Sequence, residues 1–484
     1  MGRRGVLALG GIVLLGVLAR ILHLAPDDHY FILSADSYYF HQWAEDLANG
    51  EGSWYWMASE RSGMVYPLAG LAKITSLTFA SYVLPVLLGI CGILGIYFVA
   101  KHVYSRKASP EAARNVALCV AFMWALIPHS VFITATGYLD RDGLSLLLIT
   151  AGVMVFFIFK DRHWAVAGLF AAVIGQCVYW EWVSVGRWLM VASICGGFIG
   201  LWLARSWREL PWKGLGVLFV ASLTMEWMST DVVNAVGHTM TLTTPNTGQS
   251  GQISELRFLG LEDLVSWYGF FLLPLAAGIG VALKRRDEVD LIFLGWLLLI
   301  LIFSIVTRRC LIYAIPAASV LAGRGLYVFI AGLREGMASE KAKRPLMAIL
   351  SGCLAILIGS SLFQGYRLGE YRLMAPDDDW MKALAYIREE TPEDALILNE
   401  WSYGYWVLDI AEREPLAKGG PRYEQVVASV YEDPQMIPHV MDEYNTSFFI
   451  FPLKDIPLDM VNMTELTLAY ANKSIGIVER EVVR

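Results

Sequence analysis

Residues 136–159, TGYLDRDGLSLLLITAGVMVFFIF, set two aspartates two positions apart at the mouth of a long apolar run. Crossing a hydrocarbon core of about 30 Å takes roughly 20 mostly apolar residues in a helix, so the run from 143 to 160 reads as a membrane span with its charge held at one end. The rest of the chain agrees. Of its 484 residues 56% are hydrophobic and 17% charged, and mean hydropathy is +0.49. An ordinary soluble domain is roughly 45–50% apolar and about 25% charged. The sequence therefore specifies an α-helical polytopic membrane protein.

Working outward, further apolar runs lie near 5–24, 81–103, 113–135, 164–181, 185–204, 214–229, 265–283, 291–306, 310–332 and 345–365. With 143–160 they make about eleven spans. Basic residues mark alternate connections: Arg3 and Arg4, Lys101 with Arg106 and Lys107, Lys160 and Arg162, Arg205 with Arg208 and Lys213, Lys284 to Arg286, and Arg334 to Arg344. The positive-inside rule assigns these to the cytoplasm. The first run follows two arginines without a small-residue cleavage site, which reads as an uncleaved signal anchor.

The outward connections are then 25–80, 136–142, 182–184, 230–264, 307–309 and everything beyond 366. Two of them, 25–80 and 230–264, are longer than a connector needs, and loops of that length tend to carry function. Beyond 365 the composition changes: an amphipathic helix is expected from Asp378 to Glu390, then a turn at 391–394 and a buried strand ALILN at 395–399. The expected organisation is a transmembrane domain, 1–365, and a small extracytoplasmic α/β domain, 366–484. All six cysteines lie in or beside apolar runs without metal or redox spacing. A net charge of −7 leaves no basic footprint for nucleic acid.

Candidate chemistry gathers on the outward side. Asp140 and Asp142 offer hard oxygen ligands just outside a helix, and Asp36, in LSADSYYFHQWAEDL, supplies a third carboxylate from another loop. Such a set suits Mn²⁺ or Mg²⁺. The plainer reading of the pair is a solvated helix start, where acids complement the dipole. Glu255 is a further acid in a polar loop, and alone would be an ordinary loop residue. Arg308 and Arg309 interrupt the apolar stretch 291–332 at its outer turn, either as snorkelling side chains against lipid or as a fork for a phosphate-bearing substrate.

Five segments in order, ADSYYFHQWAEDL, TGYLDRDGLSLLL, ISE, RRCLIYAIP and DWMKALAYIREETPEDALILNEWSYGYW, make the chain resemble the catalytic subunit of oligosaccharyltransferase in its single-subunit archaeal and bacterial form. The resemblance implies a GT-C type fold with about 11–13 transmembrane helices. It implies transfer of an oligosaccharide from a polyprenyl (pyro)phosphate carrier, a lipid-linked donor, to an asparagine side chain of an acceptor protein or peptide. Asp36, Asp140, Asp142 and Glu255 would serve the metal, Asp36 and Glu255 would hold the acceptor amide, and Arg309 with Arg308 would meet donor phosphate or acceptor. The expected location is the plasma membrane, with the active site and C-terminal domain on the extracytoplasmic face.

The family's WWDYG turn, which reads the acceptor's Ser/Thr hydroxyl, aligns with Glu400, Trp401, Ser402, Tyr403 and Gly404. Glu400 replaces a Trp and Ser402 the Asp. Losing a charge-assisted acceptor would cost about 1.5–3 kcal/mol of hydroxyl binding unless Glu400 supplies the carboxylate. The departure keeps open a GT-C enzyme that uses a polyprenyl-phosphate sugar and a non-sequon acceptor. A transporter of lipid-linked sugars is a third class, disfavoured because the acids named sit at span ends rather than at mid-membrane depth.

Overall fold

A computed structural model describes residues 3–22, 35–50, 64–159, 259–306, 308–336, 340–367, 376–417, 427, 429–461 and 465–480. The expected spans 164–181, 185–204 and 214–229, and the residue Glu255, lie outside the described residues. Among the described residues five helical stretches are long and apolar enough to cross a membrane: Arg3–Ile21, Leu77–Ser105, Leu261–Arg285, Leu311–Glu335 and Lys343–Phe363. The protein is a multi-pass membrane protein with a small sheet near its C-terminal end.

The helices are α1 (Arg3–Ile21), α2 (Ala35–Asn49), α3 (Val65–Ala72), α4 (Leu77–Tyr104), α5 (Pro110–Leu126), α6 (Pro128–Phe132), α7 (Arg141–Phe159), α8 (Leu261–Tyr268), α9 (Leu272–Arg285), α10 (Glu288–Val306), α11 (Ile315–Gly336) and α12 (Glu340–Arg367). Their starts are written in the sequence. Ser76 caps α4 by accepting from Phe79 N at 3.2 Å, and Ser109 caps α5 by accepting from Ala112 N at 3.2 Å with Pro110 in the first turn. The run 113–135, expected as one span, is instead broken between α5 and α6. Ile127 takes ψ 123° ahead of Pro128, because proline denies its predecessor the helical conformation.

Lipid tails are as apolar as the helices, so packing in the bundle depends on close approach at small residues. A Cβ on Gly278 of α9 would collide with the Leu321 carbonyl of α11, and one on Gly323 would stand 2.5 Å from Val120 Cα of α5. At one end of the bundle Lys107 meets Asp287 at 2.8 Å and Tyr104 donates to the buried Asp290 at 2.5 Å. The basic loops near 101–107 and 284–286 therefore share an end, as the alternation of charge requires.

A fully buried arginine braces the other end. Arg20, in the last turn of α1, donates from Nε to Thr134 Oγ1 (2.7 Å), from Nη1 to the carbonyls of Gly16 (2.8 Å) and Ala125 (3.0 Å), and from Nη2 to the carbonyl and hydroxyl of Ser130 (3.3 and 3.2 Å). Its own carbonyl accepts from Thr136 N at 3.1 Å. These bonds hold the turn that leads into residues 136–142.

The C-terminal unit contains α13 (Asp378–Glu390), with the bounds expected from sequence, α14 (Gly404–Asp409), α15 (Ile437–Glu443) and strands β1 (Leu396–Asn399), β2 (Glu414–Pro415), β3 (Phe448–Pro452), β4 (Thr467–Ala471) and β5 (Ile475–Glu479). The strand order is β2-β1-β3-β5-β4, with β1 parallel to both neighbours and β3-β5 and β5-β4 antiparallel. The central strands are apolar on both faces, as a doubly covered sheet demands. Ile397, Phe448, Ile450 and Ile477 meet Trp380, Leu384 and Ile387 of α13 on one side. Leu398, Phe449, Phe451 and Val478 meet Ile437, Val440 and Met441 of α15 on the other. Tyr38, which belongs to α2 and not to this unit, is buried in the first of these two cores.

Candidate functional site

Asp36 lies in the first turn of α2 and its side chain falls outside the description, but its neighbour is well placed. The buried Ser37 hydroxyl accepts from Leu139 N at 3.0 Å and donates to Leu139 O at 2.9 Å. One side chain thus satisfies both backbone groups of the residue preceding Asp140. The start of α2 and the turn before α7, about a hundred residues apart in sequence, are thereby fixed at hydrogen-bonding distance.

Asp140 and Asp142 are 5% and 3% exposed. Asp142 sits in the first turn of α7, where the helix dipole favours a carboxylate, and Tyr138 Oη lies 3.5 Å from Asp140 Oδ2. Two buried carboxylates within three residues are costly unless a cation or dense hydrogen bonding offsets them. Their donor set is all oxygen and fits a hard divalent ion. Arg308 and Arg309 open a 3₁₀ segment, Arg308–Ala314, with side chains outside the description. That segment is tied to α8, where Tyr268 donates to Leu311 O at 3.4 Å, and Trp267 stacks on His129 of α6 at 3.6 Å and 4°.

The aromatic turn is built from β1. Asn399, fully buried, donates to the carbonyls of Glu400 and Ala417, each at 2.8 Å, and so sets the backbone from which the turn departs. Trp401–Tyr403 forms a 3₁₀ turn, with the Trp401 side chain outside the description, and α14 follows at Gly404. A Cβ at residue 404 would collide with the Ala417 carbonyl, so the glycine is required by close approach and not by its backbone angles. Glu400 Oε2 accepts from Ser402 N at 3.1 Å and also from the Ser402 hydroxyl. The Tyr403 ring lies 4.4 Å from Trp380 and 5.2 Å from Trp406. Burial, then the charges of Glu400 and Asp455, push the Tyr403 phenol up to about 12. Downstream, Met436 is exposed and Ile437 is buried at the start of α15.

The turn is seated against α2. Tyr38 enters the core beside Tyr403 and Trp406, the Tyr39 ring lies 4.8 Å from that of Tyr405, and His41 Nδ1 stands 3.0 Å from Asp409 Oδ1. Ser37, His41, Asn399 and Asp409 were not among the residues singled out by sequence. Nothing in their local pattern distinguishes a Ser or His that bridges distant segments from one that faces water.

No family model matches the chain. The dolichyl-phosphooligosaccharide-protein glycotransferase 2 of Pyrococcus furiosus is 31% identical over 171 residues, which are 35% of this chain and 21% of that protein. The match therefore spans about a fifth of the length of that curated relative. The Archaeoglobus fulgidus oligosaccharyltransferase AglB, solved with an inhibitory peptide and a dolichol-phosphate, has a TM-score of 0.68 at 16% identity, covering 93% of this chain and 70% of that one. The same protein has been solved tethered with an acceptor peptide containing the NVT sequon, and with Zn and sulfate. ArnT from Cupriavidus metallidurans, bound to undecaprenyl phosphate, has a TM-score of 0.57 at 12% identity and covers 98% and 97%. The fold is the GT-C type shared by the AglB and ArnT structures, and the sequence similarity, over 171 residues, is to an archaeal dolichyl-phosphooligosaccharide-protein glycotransferase.

Proposed function

We propose that this chain is a membrane glycosyltransferase of the oligosaccharyltransferase type, moving an oligosaccharide from a polyprenyl (pyro)phosphate carrier to an asparagine of an acceptor protein. The observation that carries this reading is the Ser37–Leu139 clamp, which draws the start of α2, with Asp36, to the turn bearing Asp140 and Asp142. The aromatic turn seated on the same helix adds to it: a recognition element and the acid loops share one support. The name of the Pyrococcus relative and the ligands of the Archaeoglobus structures supply the substrate classes.

In this reading residues 1–365 form the catalytic membrane domain and 366–484 an extracytoplasmic domain, with the site on the outer face of the plasma membrane. Asp36, Asp140 and Asp142, joined by Glu255, hold Mn²⁺ or Mg²⁺. When bound, such an ion offsets charge on the leaving phosphate. The acceptor amide is a poor nucleophile, because resonance worth an 18–20 kcal/mol rotation barrier in a peptide bond, roughly, ties up the nitrogen lone pair. Asp36 and Glu255 hold its two N–H groups and turn the nitrogen toward the sugar. Arg309, with Arg308, supplies a guanidinium fork to the donor phosphate or the acceptor chain.

Peptide glycosylation by the purified protein tests the reading. A peptide bearing Asn-x-Thr with a lipid-linked donor is expected to gain glycan, and the Asn→Gln peptide, EDTA treatment or Asp36→Ala to abolish the gain. Glycan transfer that survives Asp36→Ala and EDTA would overturn the assignment. One observation favours a second reading: Glu400 Oε2, the carboxylate next to the missing Asp, is engaged by Ser402. A GT-C enzyme with another acceptor would leave the sequon peptide unmodified while still consuming a polyprenyl-phosphate sugar.

A further inference from the structure

Using none of the acids Asp36, Asp140 and Asp142, three ligand-bearing side chains meet where α2 touches α14. His41 and Glu45 are four residues apart on α2 and so share one face, the spacing by which a single helix offers two ligands to zinc. Asp409, the last residue of α14, comes from the C-terminal unit. One ligand atom from each lies within 4.8 Å of the other two, and this is the one such group of His, Cys, Asp and Glu among the described residues. The His41 Nδ1 to Asp409 Oδ1 separation is 3.0 Å.

Bonds of about 2.0–2.2 Å from a zinc-type ion to imidazole nitrogen and carboxylate oxygen put two ligand atoms roughly 2.9–3.5 Å apart, for angles from a right angle to the tetrahedral one. The His41–Asp409 pair already has that spacing. Glu45, with a carboxylate oxygen within 4.8 Å of both other ligand atoms, is exposed and leaves a path for an ion from solvent. We propose that His41, Glu45 and Asp409 form a divalent metal site of the zinc class that clasps α2 to the C-terminal unit. One imidazole nitrogen and two carboxylates favour zinc, or cobalt in its place, over the hard ions suited to the all-oxygen acid loop. The site is structural: water completes the shell, and no bond is made or broken there. It stands independently of the glycosyl-transfer reading, since its ligands are distinct from Asp36, Asp140, Asp142 and Glu255.

The test is zinc stoichiometry on the full-length, tag-free protein in detergent, stripped with EDTA and dialysed against Zn²⁺, with Co²⁺ as optical probe. Wild type is expected to retain one more zinc ion than His41→Ala or Asp409→Asn, whereas the Asp140→Asn/Asp142→Asn variant keeps it. Co²⁺ bound to wild type is expected to show visible d–d bands that His41→Ala loses. Outer-shell partners of metal ligands cost about 10–100-fold in affinity when removed, and loss of a ligand itself is expected to cost no less. Glu45→Ala, at an exposed position that preserves folding, is thus expected to weaken Zn²⁺ binding at least about tenfold. Equal zinc content and equal Co²⁺ spectra in wild type, His41→Ala and Asp409→Asn would reduce the cluster to an ordinary His–Asp contact, as would an unchanged affinity in Glu45→Ala.

Discussion

The Ser37 hydroxyl satisfies the N–H of Leu139 at 3.0 Å and its C=O at 2.9 Å, joining two segments that lie about a hundred residues apart. Ser37→Ala leaves two buried backbone groups without this partner, a cost of about 1–3 kcal/mol each. A misplacement of about 1 Å at a reacting centre can cost a hundredfold in rate, so peptide glycosylation is expected to fall by at least about tenfold. The protein should still extract and elute as wild type does on size exclusion, because the bundle's core is untouched.

Gly404→Ala drives a methyl group into the Ala417 carbonyl. Overpacking of this kind costs about 1–3 kcal/mol. Hydrogen exchange is expected to quicken in 399–409 and 414–417 while α13 stays protected. Uniform exchange across the unit would show that the strand edge has room to yield.

Arg20 makes five hydrogen bonds from a fully buried position. Replacing it by Met strips the partners of α1, α5 and α6 together, with an expected loss of at least about 3 kcal/mol in thermal unfolding in detergent. Arg20→Lys is expected to recover only part, because a compact ammonium cannot span the fork's separate acceptors.

Burial, before the charges of Glu400 and Asp455, pushes the Tyr403 phenol up to about 12. Its folded pKa lies above the usual phenol value of about 10, so its contribution to stability is intact below pH 10 and is lost as pH rises toward 12. The absorbance difference between wild type and Tyr403→Phe near 295 nm should rise close to pH 12. A rise near pH 10 would mean that the ring is not held between Trp380 and Trp406.

Asn472, in the tripeptide Asn472-Lys473-Ser474, donates to Asp379 O at 2.8 Å and accepts from Ser474 N and Ile475 N at 2.9 and 2.8 Å. Its amide nitrogen is committed to α13 and its amide oxygen to the β4–β5 turn. Mass spectrometry of the native protein is expected to find Asn472 unmodified even in preparations that glycosylate added peptide.

Features governed by composition or by local pattern were legible in the sequence. The apolar length of the five spans found among the described residues, the shared end of the basic loops and the limits of α13, capped by Asp377 accepting from Trp380 N at 2.9 Å, follow from residues near one another. The break between α5 and α6 was also written locally, in Pro128, but was hidden by the unbroken hydrophobicity around it. What could not be read were contacts between distant segments. Ser37 looks like any small residue beside an aspartate, Asn399 like the polar end of a strand, and His41 like one side of an ordinary amphipathic helix. Their partners are 102, 18 and 368 residues away.

Tyr38 fills part of the core that α13 and the sheet enclose, although it belongs to the loop helix α2. The C-terminal unit is therefore not a detachable cargo. Cut free, it would expose to water the apolar surface that Tyr38 now covers, so a graft of this unit onto another membrane scaffold must bring α2 along as its cover.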